Sequence, residues 1–141
     1  MFALTIQQPY AWAIMEGIKT VENRTWRPWY EGPLLIHAGK GKEWMCDVLE
    51  DGTAVSREEL VFGAILGVVD LVMPVPAYYT AVEDNPFAQG PYCWILEHPR
   101  KFETPIPWRG AQRIWIADEK RQRDDKERKL SSELCRLSVI P

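Results

Sequence analysis

Lys19, Glu22, Asn23 and Arg24 fall within the stretch GIKTVENRTW, residues 17 to 26, between an apolar segment and a tryptophan. Lys19 and Glu22 stand three residues apart, close enough to pair, while Arg24 adds a planar fork of donors and Asn23 an amide. Such a set can read the polar edge of a base or hold an anion. The same residue types also describe a surface salt bridge at a turn.

Asp70 is the second candidate. It sits in GAILGVVDLVMPV, residues 63 to 75, where strand alternation puts it on one face with Leu66, Val68 and Val72. Either it is a carboxylate on an apolar inner wall, or the strand bends there and exposes it. A buried carboxylate needs a partner, and Lys19 is a candidate. A desolvated lysine and carboxylate can run hydrolysis: Asp70 or Glu22 activates a water while Lys19 stabilises the developing oxyanion. Catalytic candidates are therefore Lys19, Glu22 and Asp70.

His37 could line a site beside the motif, although a lone strand histidine is more often structural, and His98 before Pro99 shapes a turn. Trp12, Trp26, Trp29 and Trp94 could offer stacking surfaces for a base, whereas Trp44 and Trp115 are expected in the core. Neither a Ser/His/Asp or Cys/His signature, nor a Gly-rich phosphate loop, nor a pair of metal ligands stands out. No cofactor and no metal are expected.

These side chains need elements to hold them. Pro9 suits the first turn of a short helix over residues 9 to 16, with Gly17 as its stop. TVENRTW and GPLLIHA read as strands, with Glu22, Arg24 and Trp26 on one face of the first. Residues 43 to 50, EWMCDVLE, have the pattern of a short amphipathic helix, and SREE at 56 to 59 that of a capping box. Residues 63 to 75, YCWILE and QRIWIA are further strands, separated by turns at NPFAQGP, HPR and PIPWRG. The expected architecture is α+β, a small barrel of strands with short peripheral helices. From Asp118 the chain becomes dense in both signs of charge, then places Leu130, Leu134 and Leu137 at helical spacing. A C-terminal helical tail over 118–141 is expected, docked on the barrel or on a second copy or partner protein.

At 141 residues, 46% apolar and 26% charged, the chain suits one globular domain followed by that tail. No apolar run approaches the ~18 residues of a membrane span, and the start lacks the pattern of a secretory signal, so a cytoplasmic location is expected. Three widely spaced cysteines, Cys46, Cys93 and Cys135, fit reduced thiols. A net charge of −3 argues against coating long nucleic acids, so any such partner must be gripped locally. Two basic stretches, one over residues 19 to 42 and one carrying Arg100, Lys101, Arg109 and Arg113, would make an anion-attracting face if they met.

LTIQQPYAWAIMEGIKTVENRTW resembles the opening of the activating-signal-cointegrator homology (ASCH) domain: a Gln and Pro before a helix, then Gly17, Lys19, Glu22 and Arg24 as G-x-K-x-x-E-x-R. GPLLIHAGKG, GAILGVVDLV, GPYCWILEHPR and PIPWRGAQRIWIA are similar to its later strands, so the resemblance covers residues 1–117 and leaves the tail outside. It implies a PUA-like β-barrel, a superfamily that binds RNA or modified nucleobases, with a cleft lined by the motif. The partner is then RNA, DNA or a modified nucleoside, contacted by Gln8, Trp12, Lys19, Glu22, Asn23, Arg24, Trp26 and His37. One ASCH group hydrolyses the acyl amide of N4-acetylcytidine with a lysine, a threonine and a glutamate. The lysine falls on Lys19, but the other two positions carry Glu22 and Asp70, and Thr20 is only a neighbour. Other relatives have been assigned ribonuclease activity or transcription coactivation. The resemblance thus implies a nucleic-acid or nucleotide binder, with a metal-independent amidohydrolase or ribonuclease as the alternative.

Overall fold

The computed structural model describes residues 1–76, 82–117 and 124–139. Residues 2–6, to which no element is assigned from the sequence, form strand β1 (Phe2–Ile6). Helix α1 (Tyr10–Met15), β2 (Val21–Arg24), β3 (Gly32–Ala38), β4 (Ala64–Pro76), β5 (Tyr92–Pro107), β6 (Ile114–Ile116) and α2 (Asp124–Arg136) follow. The strands form one curled sheet in the order β2-β5-β4-β3-β1-β6. It is a half-barrel, because its edge strands β2 and β6 are not paired with each other. This is the small α+β, PUA-like architecture expected from the sequence.

The curl comes from irregularity in the two longest strands. The β4–β5 ladder shifts register three times, between Ile65 and Gly67, Val68 and Asp70, and Leu71 and Met73. Each bulge adds local twist and re-aims the side chains beyond it. Gly67 lies at the first, where an added Cβ would collide with the Arg100 carbonyl oxygen and crowd the Met15 side chain. The expected turn at His98–Arg100 is instead strand β5 running on, with His98 at φ +51.

Two further expectations are corrected. Residues 43–50 form turns and bends closed by an isolated Val48–Ala54 bridge, because Leu49 alone of that segment is fully buried and no apolar face forms. Ser56 precedes a single 3-10 turn, Arg57–Glu59, and its side chain makes no capping bond. By contrast α1 lies within its expected span. Its first turn is satisfied by Gln8, whose Oε1 accepts from the Trp12 backbone N–H at 2.9 Å.

The core lies on both faces of the sheet. Ile14 and Met15 of α1 pack with Leu4, Leu34, Ile36, Val69, Leu71, Trp94 and Leu96 inside the curl. On the other face Leu35, Ile65, Val68, Phe102 and Ile106 meet Leu130 and Leu134 of α2, with Leu137 partly buried beside them. The leucine stripe therefore docks on the chain's own sheet. The charged run 118–123 lies outside the described residues.

Truncating a buried leucine removes its transfer energy and leaves a cavity, so Leu134→Ala is expected to lower the unfolding free energy by about 2–4 kcal/mol in urea titrations. A loss well under about 1 kcal/mol would mean that α2 is not part of the cooperative core.

Candidate functional site

The seam between the unpaired edges is a cleft of about 690 Å³. One wall is Lys19 with Glu22, Asn23 and Arg24 of β2; the other is Ala111, Gln112 and Arg113, leading into β6. Thr5 and Ile6 of β1 with Gln7 just beyond it form the base, and Tyr10, Trp44, Glu50, Phe87 and Gln89 complete the lining.

Gly17 makes the turn that brings the motif here. At φ +76 it ends α1 in the left-handed region, and the Ile18 and Lys19 amides both return to the Ala13 carbonyl, at 2.9 and 3.1 Å. Lys19 enters the cleft wall only 5% exposed, and Glu22 is 7% exposed. Glu22 Oε1 accepts from Lys19 Nζ at 2.7 Å and from the Asn23 amide at 3.1 Å, while its Oε2 accepts from Arg24 at 3.1 Å. Burial acts to raise the carboxyl's pKa, but the Lys19 and Arg24 charges and their hydrogen bonds outweigh it and hold it below 4.5. Arg24 reaches on across the seam to the Thr5 carbonyl at 3.3 Å.

The cleft thus carries three cations, Lys19, Arg24 and Arg113, against two carboxylates, Glu22 and Glu50. Tyr10 lies between them: Lys19 Nζ is 5.0 Å from its ring centroid, and its hydroxyl donates to Glu50. Burial, then Glu50, push the phenol's pKa far above 10.0, so it remains a donor. Gln7 is packed against glycine backbone, since a Cβ on Gly39 would lie 2.5 Å from its Nε2 and one on Gly41 2.7 Å from its Oε1. Among the described residues that buried Oε1 has no hydrogen-bond partner.

The structure brings Lys19, Glu22, Asn23 and Arg24 together but not the remaining candidates. Asn23 is held by its neighbours: its amide donates to the Phe87 carbonyl at 2.8 Å and accepts from the Gln89 and Gly90 amides at 2.8 and 2.9 Å. It clamps the 87–90 loop against β2. Gln8 and Trp12 point to the far side of α1, bound to the Val61 carbonyl and Glu59 at 2.8 and 3.0 Å. Trp26 is packed edge-on against the buried Trp94, centroids 4.8 Å apart.

His37 is a buried joint. Its Nε2 faces the Trp108 carbonyl at 2.6 Å, so that nitrogen carries the proton and Nδ1 accepts from the Thr5 hydroxyl at 3.1 Å. Burial, chiefly, lowers its pKa and keeps it neutral. The pairing of Asp70 with Lys19 is corrected: Asp70 lies outside the cleft lining, bound to Arg100 and 3.5 Å from His98. Of the two alternatives the sequence left open, the second holds: register shifts between Val68 and Met73 bend the strand and leave Asp70 partly exposed instead of on the inner wall.

Trp44 was expected in the core and is instead 64% exposed on the cleft wall. Tyr10 and Gln7 were also missed, whereas Arg113 belongs to the second basic stretch, which meets Lys19 and Arg24 of the first in this cleft. The usable signal was the length of the connection over residues 39–63, since long connections in compact domains are commonly binding loops. Among the described residues no three His, Cys, Asp or Glu side chains gather as a metal centre would. No described helix is long and apolar enough to cross a membrane.

The family model described as the ASCH domain matches residues 4–106. The chain belongs to the ASCH family. It is 27% identical to activating signal cointegrator 1 of Homo sapiens over 131 residues, covering 84% of this chain and 22% of that protein. The Mus musculus protein of the same name gives 26% identity with the same coverage. The chain therefore spans about a fifth of the length of these relatives. Its fold is similar to crystal structures of the ASCH protein from Zymomonas mobilis. A mutant of that protein superposes with TM-score 0.58 at 15% identity, covering 93% of this chain and 96% of the other. A second crystal structure gives TM-score 0.54 at 16% identity and 93% coverage of both chains.

Replacing Glu22 in this ASCH domain by glutamine leaves Lys19 buried beside a neutral amide, and is expected to cost about 3 kcal/mol or more in urea unfolding. The sign with pH follows from the lowered pKa: Glu22's contribution is fully present above its unfolded value of 4.5 and is lost as pH falls through the folded value. The unfolding midpoint of Glu22→Gln should therefore fall less than that of wild type between about pH 6 and about pH 3. Equal falls would show that the buried carboxylate is not a source of acid sensitivity.

Proposed function

We propose that this ASCH domain binds single-stranded nucleic acid by admitting one base to the seam cleft. The observation that carries this reading is the buried Lys19–Glu22–Arg24 set in the wall of a cleft of about 690 Å³. That volume is within the range of small-ligand sites, which run from roughly 300 to 1,000 Å³. Fixed charges with satisfied partners keep their orientation, so the Lys19 and Arg24 donors present a rigid polar edge to a base carbonyl. The exposed indole of Trp44 supplies an apolar face on the same cleft, as base stacking requires. A base still paired in a duplex cannot enter such a cleft, which favours unpaired nucleotides.

Hydrolysis of an N4-acylated cytidine, or of an RNA phosphodiester, is the alternative function. It would use Lys19 for the oxyanion and Glu22 as base, since Asp70 is not part of the cleft lining and is bound to Arg100. A general base needs an available lone pair and a pKa near the working pH. Glu22 has both oxygens engaged and a lowered pKa, which favours binding over turnover.

Fluorescence anisotropy with labelled single-stranded RNA and DNA tests the binding reading. Trp44→Ala should weaken binding about fivefold or more, given roughly 1–3 kcal/mol per stacked base. Arg24→Gln and Lys19→Gln should weaken it too, with circular dichroism unchanged. Preference for duplex over single strand, or wild-type affinity in Trp44→Ala, would defeat the proposal. Product release from N4-acetylcytidine, lost in Lys19→Gln, would select the hydrolase instead.

A further inference from the structure

Arg113 differs from the other cations of the cleft. Lys19 and Arg24 are both engaged with Glu22, so their charge is answered within the protein. Arg113 has no carboxylate within ion-pair distance among the described residues. Its guanidinium lies instead 4.1 Å from the centroid of the Trp26 ring. An arginine stacked on an indole face is held by cation–π attraction while its N–H edge remains open to a further partner.

The mount beneath it is rigid. Trp26 is packed edge-on against Trp94, which is wholly buried, and Trp94 Nε1 donates to the Trp26 carbonyl at 3.2 Å. The loop that delivers Arg113 is fixed at its start by the His37 bond to the Trp108 carbonyl. Gly110 then passes so close to His37 that a Cβ there would lie 2.7 Å from the ring. Arg113 itself adopts φ +60, a left-handed conformation uncommon for a residue with a side chain. Strain of this kind persists where the surroundings fix a side chain in place, and is frequent at ligand clamps.

An unpaired, planar, pre-oriented guanidinium on the wall of a cleft with excess positive charge is suited to an oxyanion that can accept two parallel hydrogen bonds. In a cleft read as a base pocket, the group that brings such an oxyanion is a phosphate on the sugar of the same base. We infer that Arg113 is a phosphate seat, so that the preferred ligand is a nucleotide, free or within a strand, and not a nucleoside. This inference rests on the base-binding reading above. It adds that Arg113, which Trp26 positions, sets the discrimination between phosphorylated and unphosphorylated ligands.

Isothermal titration of the full chain with the common ribonucleosides, their 5′- and 3′-monophosphates, a short single-stranded oligonucleotide and inorganic phosphate tests it. At least one monophosphate should bind about tenfold more tightly than its nucleoside, the gain expected of a charge-assisted hydrogen bond. Arg113→Gln should abolish that difference with the circular-dichroism spectrum unchanged, since the exposed side chain does not contribute to the core. Arg113→Lys, a charge without the fork, should restore only part of it. For the oligonucleotide, Arg113→Gln should reduce the slope of log affinity against log salt by about 0.7, one phosphate contact on a single strand. Nucleosides and monophosphates binding wild type equally, or an undiminished preference in Arg113→Gln, would remove the seat and leave the base pocket standing. Inorganic phosphate binding as tightly as the monophosphate would also overturn the assignment, because the site would then be a plain anion site. Failure of every nucleoside, nucleotide and oligonucleotide to bind would remove the base pocket, and the seat with it.

Discussion

One buried carboxylate holds the seam of this half-barrel. Glu22 sits on an edge strand whose outer side has no strand partner, and it binds Lys19 at 2.7 Å and Arg24 at 3.1 Å. Two cations with no anion between them would repel one another and face a large desolvation cost. With the carboxylate between them they can be buried, and Arg24 can extend to the Thr5 carbonyl on β1. The same group therefore ties the two sides of an unclosed sheet and leaves the wall with one positive charge in excess. Fold and electrostatics are joined at a single residue.

The spacing of the motif is what made the site legible. Gly17 ends the helix, Lys19 follows the turn, and period-two alternation in β2 places Glu22 and Arg24 on a common face. β3 has the expected Gly32–Ala38 bounds and α1 lies inside its expected span, because each is a short, regular element whose pattern no bulge interrupts. Asp70 misled for the complementary reason. Period-two reasoning holds only while register holds, and the β4–β5 ladder changes register on both sides of that residue. Nothing in the types of its neighbours marks those shifts, since they arise from tertiary curl.

Trp44 escaped notice through a different failure. Met45, Cys46 and Leu49 are spaced as a helix face would be, yet the segment follows two glycines that close on Gln7 and is held by bonds to distant residues. Tyr10 donates to Glu50, and Arg57 reaches Asp47 at 2.7 Å. Local periodicity is a weak prior when tertiary partners of this kind outweigh it. The result is an indole on the cleft wall where the residue pattern alone would have buried it.

The chemistry open to the cleft follows from how fully its groups are already engaged. Glu22 accepts from an ammonium, a guanidinium and a backbone amide, so it has little capacity left to take a proton from water. His37 is neutral, its pKa lowered chiefly by burial, and its two nitrogens are already bound to Thr5 and to the Trp108 carbonyl. Tyr10 remains protonated as a donor to Glu50. Groups locked in this way hold a shape and a field well, and exchange protons badly. A preorganised site whose proton carriers are occupied is the physical basis of the binding proposal, and hydrolysis on the same wall would require one of those carriers to be freed first.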